Sequence, residues 1–263
     1  MSLAKAAAAG AAGLTLAAGG YGVSTLFSGG MPDYDALATS TGKYVSDYKD
    51  YFVDATKNVS WWDWVYKNRY LVDKDGKDTD GEKRPEPKTA FTSIKNGSGD
   101  TADSIQKVCS NVYSAAQDKV KAGASGDGEF EEADVWRYCT AVKKKPKTIE
   151  NNADEADLYK DGESADTYGV SKKANLISIT SEDNAHFWKE QTRLFFRSEG
   201  ERFGANFEND RTSIFGKFWH SKKGNIKDKC KEAYILKTAD STQSPPTATK
   251  EDIFKFCSLK GSE

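Results

Sequence analysis

Asp134-Val135-Trp136-Arg137-Tyr138-Cys139-Thr140 returns later in the chain as Asp252-Ile253-Phe254-Lys255-Phe256-Cys257-Ser258. Each of the seven positions is identical or exchanged for a residue of like chemistry. Working upstream, Ile105-x3-Cys109-x3-Tyr113 returns as Ile226-x3-Cys230-x3-Tyr234, and Trp64-x4-Arg69 as Trp188-x4-Arg193. The offsets are 124, 121 and 118 residues in chain order, so the order is kept while the connecting loops shorten. The pattern reads as a duplication with two cysteines per copy. What repeats is core and crosslink chemistry, with no catalytic constellation in it.

The spacing inside the blocks is helical. Ile105, Val108, Cys109, Val112, Tyr113 and Ala116 fall on one face, predicting a helix that starts near Asp100 or Thr101, either of which can cap it. Glycines 123, 126 and 128 end it. A third helix follows from Glu129, acidic in its first turn as the helix dipole favours, and stops at Lys143-Lys144-Lys145-Pro146. Ahead of both, Leu37, Tyr44, Tyr48, Phe52, Ala55, Val59 and Trp62 make one apolar stripe and predict a helix running into the apolar tract 61–66. In the second copy Thr180 or Ser181 opens a helix carrying Phe187, Trp188, Gln191, Leu194 and Phe195. Ile226, Cys230, Ala233 and Tyr234 build the next. The last begins at Thr249, with Asp252 as a weak capping box, and carries Ile253, Phe256 and Cys257. Residues 175–179 are short enough to be a strand.

Residues 147–170 contain Glu150, Asp154, Glu155, Asp157, Asp161, Glu163 and Asp166, and read as a solvated acidic linker between the copies. The expected division is 1–32 signal or transmembrane anchor, 33–146 helical module 1, 147–174 acidic linker and 175–263 helical module 2. The expected fold class is mainly α, with a few short strands.

The N-terminus differs from everything after it. Lys5 is the only charge before Asp33. A helix over residues 6–27 would be about 33 Å long, enough for a bilayer core of about 30 Å. Its bulky members are few, Leu14, Leu16, Tyr21, Val23, Leu26 and Phe27 among alanines and glycines. An uncleaved anchor, a cleaved signal peptide and an Ala-rich soluble helix all fit this composition. Lys5 on the short side argues for a body outside the cell.

Over 263 residues the chain is 37% hydrophobic and 30% charged, and its 12% aromatic content supplies the buried area a fold needs. Its 38 basic and 40 acidic side chains nearly cancel, leaving no field to steer it to nucleic acid. The preferred pairing of the cysteines is Cys109 with Cys139 and Cys230 with Cys257, because each pair lies on the apolar faces of consecutive helices. Only the duplication selects it from three pairings, and four buried thiols are the other reading. An exported body favours bridges. No CxxC is present, and neither His186 nor His220 stands at ligand spacing from a cysteine, so no metal is expected.

Other motifs fall short. His186 and Glu190 share a helix face, as an acid–base pair would, but more often such a pair is a surface hydrogen bond. The segment 73–82 looks calcium-like yet has Lys77 and Asp78 at loop positions five and six and no glutamate at twelve. No GxxxxGK[ST], GxSxG or GxGxxG occurs, so no catalytic residue and no cofactor is assigned. Asn58-Val59-Ser60 and Asn96-Gly97-Ser98 are sequons that matter only in a glycosylating host. Trp64, Arg69, Trp188 and Arg193 read as core and capping pairs.

The opening Met1-Ser-Leu-Ala-Lys-Ala-Ala-Ala8 and the block Trp136-Arg-Tyr-Cys139-Thr140, preceded by Ile105-x3-Cys109, resemble a family of paralogous hypothetical proteins of haemotropic mycoplasmas. The likeness covers about half the chain. Tyr138 stands where that family often has tryptophan, Phe254-Lys-Phe256 replaces Trp-Arg-Tyr in the second copy, and the context after the cysteine block is poorly kept. The resemblance implies a membrane-anchored or secreted surface protein, host-contacting or antigenically variable, with no activity or cofactor to carry over. The expectation is therefore a non-enzymatic protein whose partners are a membrane, through its N-terminal helix, and a host protein. An exported hydrolase built on a histidine, or an internal scaffold module, are the alternatives.

Overall fold

The computed structural model describes residues 30–38, 40–75, 86–152, 154–162, 166–238 and 247–263. The expected leader lies outside them, except for its last residues. Met31 is buried against the body, so the boundary expected at residue 32 falls inside the fold. Among the described residues no helix is long and apolar enough to cross a membrane.

The architecture is mainly helical, with few strands. In the first half α1 (Val59–Val65) runs through a π-helical turn (Tyr66–Tyr70) into α2 (Leu71–Lys74). Helices α3 (Ile105–Ser114) and α4 (Glu132–Cys139) follow, separated by the two-residue parallel strands β1 (Val120–Lys121) and β2 (Phe130–Glu131). The second half holds α5 (Tyr168–Ser171), α6 (Ala185–Phe196), α7 (Ile214–Ser221), α8 (Ile226–Tyr234) and α9 (Lys250–Cys257). Ser104, Asn225 and Thr249 cap α3, α8 and α9 by accepting the N–H of Lys107, Asp228 and Asp252. The α3 cap is thus Ser104 rather than Asp100 or Thr101.

The long helix expected from the stripe 37–62 does not form. A 3-10 segment (Tyr44–Tyr51) gives way to extended chain at Phe52 and Val53, and Asn58 turns left-handed (φ 67°) before α1. The reason is a small backbone ladder invisible to periodicity. Leu37 N–H donates to Phe52 C=O (2.8 Å) and Asp54 N–H to Asp35 C=O (2.9 Å), while Val53 N–H donates to Cys139 C=O (3.1 Å).

The same ladder is built in the second half. Ile149 N–H donates to Leu176 C=O (2.9 Å), Ser178 N–H to Lys147 C=O (2.9 Å) and Ile177 N–H to Cys257 C=O (2.9 Å). Antiparallel bridges Ala36–Val53 and Phe52–Thr140 are matched by Thr148–Ile177 and Leu176–Ser258. Asn58 clamps Asp35 through both its amide atoms, and Asn184 clamps Lys147 in the same way. A surface ion pair recurs with its charges exchanged: Lys145–Glu132 (2.8 Å) in the first half, Glu263–Lys250 in the second.

These matches correct the expected division. Residues 147–149 form the opening bridged segment of the second copy, equivalent to 35–37, so the copies join at Pro146 without a linker. The acid-rich stretch is packed, with Ile149, Glu155, Tyr159 and Tyr168 buried. Acid content misleads here because Glu155 is turned inward, where five donors satisfy it. The two halves share one continuous core. They are joined by Tyr51 packing at a tilt against Phe187 (5.4 Å between ring centres) and by Tyr51 OH donating to Gln191 (2.7 Å).

Candidate functional site

The chemistry that recurs is a knot at the C-terminal end of each half's last helix. Cys109 is bridged to Cys139 and Cys230 to Cys257, each with Cα atoms 5.6 Å apart, so all four cysteines are bonded as the duplication suggested. Tyr113 OH donates to Val53 C=O (2.7 Å) and Cys139 C=O (3.3 Å); Tyr234 OH donates to Ile177 C=O (2.8 Å) and Cys257 C=O (3.1 Å). Thr140 and Ser258 hydroxyls each donate back to the carbonyl four residues earlier.

A buried arginine completes each knot. Arg69 donates to the carbonyls of Arg137 (2.8 Å), Thr140 (2.6 Å) and Ala141 (3.3 Å). Arg202 donates to the equivalent carbonyls of Lys255, Ser258 (2.9 Å) and Leu259 (2.8 Å). Both neutralise the negative end of a helix dipole where carbonyls lack helical partners. The counterpart of Arg69 is therefore Arg202, not Arg193, and the matched tryptophans are Trp62 and Trp188, each four residues after its clamping asparagine. The fixed-spacing reading Trp-x4-Arg fails because Arg202 reaches the knot from the loop after α6. No periodicity marks it. Burial alone would lower the Arg202 pKa, but Tyr51 and Asp50, bonded at 2.7 Å, outweigh it and hold the guanidinium charged.

Other buried ionisable groups are likewise committed to the backbone or to each other. Arg193 grips Glu190 (2.7 Å) and Asp33 (2.8 Å), and Tyr34 OH donates to Glu190 as well. Arg137 is bidentate on Asp73 (2.7 Å twice), which also accepts from Tyr138 OH (2.8 Å). Asp73 is thus drawn into the body, and residues 76–82 of the calcium-like segment lie outside the described residues. Burial raises the Asp134 carboxyl to about 6, against the Lys88 N–H bond (2.6 Å) that favours its anion.

The histidines take no part in an acid–base pair. His186 is exposed at the start of α6, and Glu190 turns away from it to Arg193. Desolvation, then the positive charges of Lys143, Arg69, Lys189 and Lys144, lower its pKa from the ordinary imidazole value. Asp183 pairs with Lys144 (2.9 Å) and Lys147 (2.8 Å), and His220 Nε2 lies 3.0 Å from the Phe207 carbonyl. A shallow depression of about 200 Å³ is lined by Glu131, Glu132, Trp136, Lys143, Lys144 and Lys145. Its carboxylates are engaged, Glu132 by Tyr44 (2.6 Å) and Lys145, Glu131 by the Gly123 N–H (3.0 Å). Among the described residues no group of three or more His, Cys, Asp or Glu could hold a metal ion. The Asn58 sequon is closed to modification by the clamp its amide makes, whereas Asn96 is exposed.

No protein family, curated protein or solved structure matches the chain.

Proposed function

We propose that this chain is a non-enzymatic surface protein whose helical body lies outside the cell, held to the membrane by its N-terminal segment or released when that segment is cleaved. The observation that carries this reading is that all four cysteines form bridges, each within one half and each buried. Such bonds persist outside the cell and are reduced inside it. The occupied state of the buried carboxylates, arginines and tyrosines supports a structural use of charge over a catalytic one. The resemblance to haemotropic mycoplasma paralogues fits the same picture. The two bridged knots hold the frame, as a host-contacting or antigenically variable exterior requires.

Surface protease shaving of intact cells tests it. The body is degraded in unbroken cells under this reading; a body that survives until lysis refutes it.

A further inference from the structure

Phe196, Phe203 and Trp219 converge at the surface of the second half, each half-buried with part of its ring open to solvent. Phe196 and Trp219 are within 23° of parallel, centroids 5.9 Å apart, and Phe203 meets Trp219 at 71° and 5.5 Å. The ammonium of Lys222 lies over two of these rings, 3.3 Å from the Trp219 ring centre and 4.7 Å from that of Phe196. Ring faces alone hold it, among the described residues.

Lys222 is placed there by an unusual backbone. It follows α7 in the left-handed conformation (φ 52°, ψ 22°), which a β-carbon disfavours, with its N–H on Phe218 C=O (3.1 Å). A primary ammonium is strongly hydrated and gives up water to lie on a ring. A quaternary ammonium has no N–H to hydrate and is the cation class that aromatic cages recognise. We propose that Phe196 and Trp219, with Phe203 packed against Trp219, form a binding site for a quaternary ammonium group, covered in the free protein by Lys222. The group is a trimethylammonium, on a free choline-type cation or on the choline headgroup of a bilayer. The proposal stands apart from where the body resides.

Calorimetric titration of the full chain with tetramethylammonium tests it. Lys222→Ala uncovers the rings and is expected to bind roughly fivefold more tightly than the parent, the factor one exposed cation–π contact is worth. Trp219→Leu removes the binding face and abolishes the signal. Because Trp219 also packs on Phe195, Phe203→Leu is the milder variant and weakens binding with the fold intact by circular dichroism. Flotation with phosphatidylcholine against phosphatidylglycerol vesicles then separates the sources. A choline-lipid preference lost in Phe203→Leu assigns the headgroup; tetramethylammonium binding without that preference assigns a soluble cation. No saturable binding by Lys222→Ala in either assay, or binding unchanged in Trp219→Leu, overturns the proposal.

Discussion

Replacing Glu155 by glutamine separates a packed second copy from one that begins after a solvated linker. Glu155 is 2% exposed and accepts from Tyr159 OH (2.7 Å), the Ile179 N–H (2.7 Å), Thr180 Oγ1 (2.8 Å), Asn152 Nδ2 (3.0 Å) and Ser178 Oγ. Three of these bonds, from Tyr159, Ile179 and Ser178, are buried. Glutamine keeps the shape but turns two donors toward this ring of donors. The buried bonds divide between the two oxygens, Tyr159 and Ile179 on Oε1 and Ser178 on Oε2, and glutamine keeps one oxygen, so one or two of them are lost. At about 1–2 kcal/mol for each buried bond lost, Glu155→Gln is expected to cost about 1–4 kcal/mol. In urea, with a slope of about 2.5 kcal/mol/M, the midpoint falls by about 1 M. Burial alone would raise the Glu155 pKa, but the donors overcome it and hold the carboxyl below its ordinary value. A depressed carboxylate stabilises the fold above its unfolded pKa and loses that contribution as pH falls through the folded one. The gap between parent and variant is therefore full at pH 7 and narrows below about pH 4. A midpoint within 0.2 M of the parent, as an estimate of measurement error, or a gap independent of pH, refutes the packed reading.

Arg69→Met and Arg202→Met each uncap three carbonyls and are expected to lose about 3–4 kcal/mol in urea melts, comparable losses because the two residues are equivalents. Asp134→Asn is expected to stabilise the protein. A carboxyl raised to about 6 favours the fold most below the unfolded pKa and loses that advantage as pH rises through 6, so the asparagine variant gains about 2 kcal/mol at pH 7.5 and nothing near pH 3.5. Replacing Cys230 and Cys257 together by serine opens a loop of 27 residues and should cost about 3 kcal/mol, as should the Cys109 and Cys139 pair with its 30. Thermal melts of each double variant under oxidising conditions measure this.

The cysteine pairing was legible in the sequence because the duplication leaves two cysteines per copy, both on apolar helix faces, and Val108, Cys109, Val135 and Cys139 keep their spacing on folding. The main helices α3, α4, α6, α8 and α9 were legible for the same reason. Phe52 and Val53 were not. Their neighbours continue a helical stripe, but two-residue pairings with Leu37 and Cys139 are non-local and leave no period. Short polar clamps such as Asn58 and Asn184 act on backbone far along the chain, so composition says nothing of them. Helix α7, with Phe215 and Phe218 buried, went unread because its eight residues contain Gly216 and few polar markers to set its face. The packing of 147–174 was hidden by its charge. One inward carboxylate with local donors looks the same, in a list of acids, as Glu150, Asp154, Asp157 and Asp161, which face water.

Each copy of the frame is closed by its own bridge, Cys109 to Cys139 and Cys230 to Cys257. Peptide mapping of the native protein, taken from its own cells with thiols blocked at lysis and digested without reductant, reads this pairing. Two linked peptides, Cys109 with Cys139 and Cys230 with Cys257, and no blocked thiol are expected. A bridge joining the halves, or alkylated cysteines at any of the four positions, would contradict it.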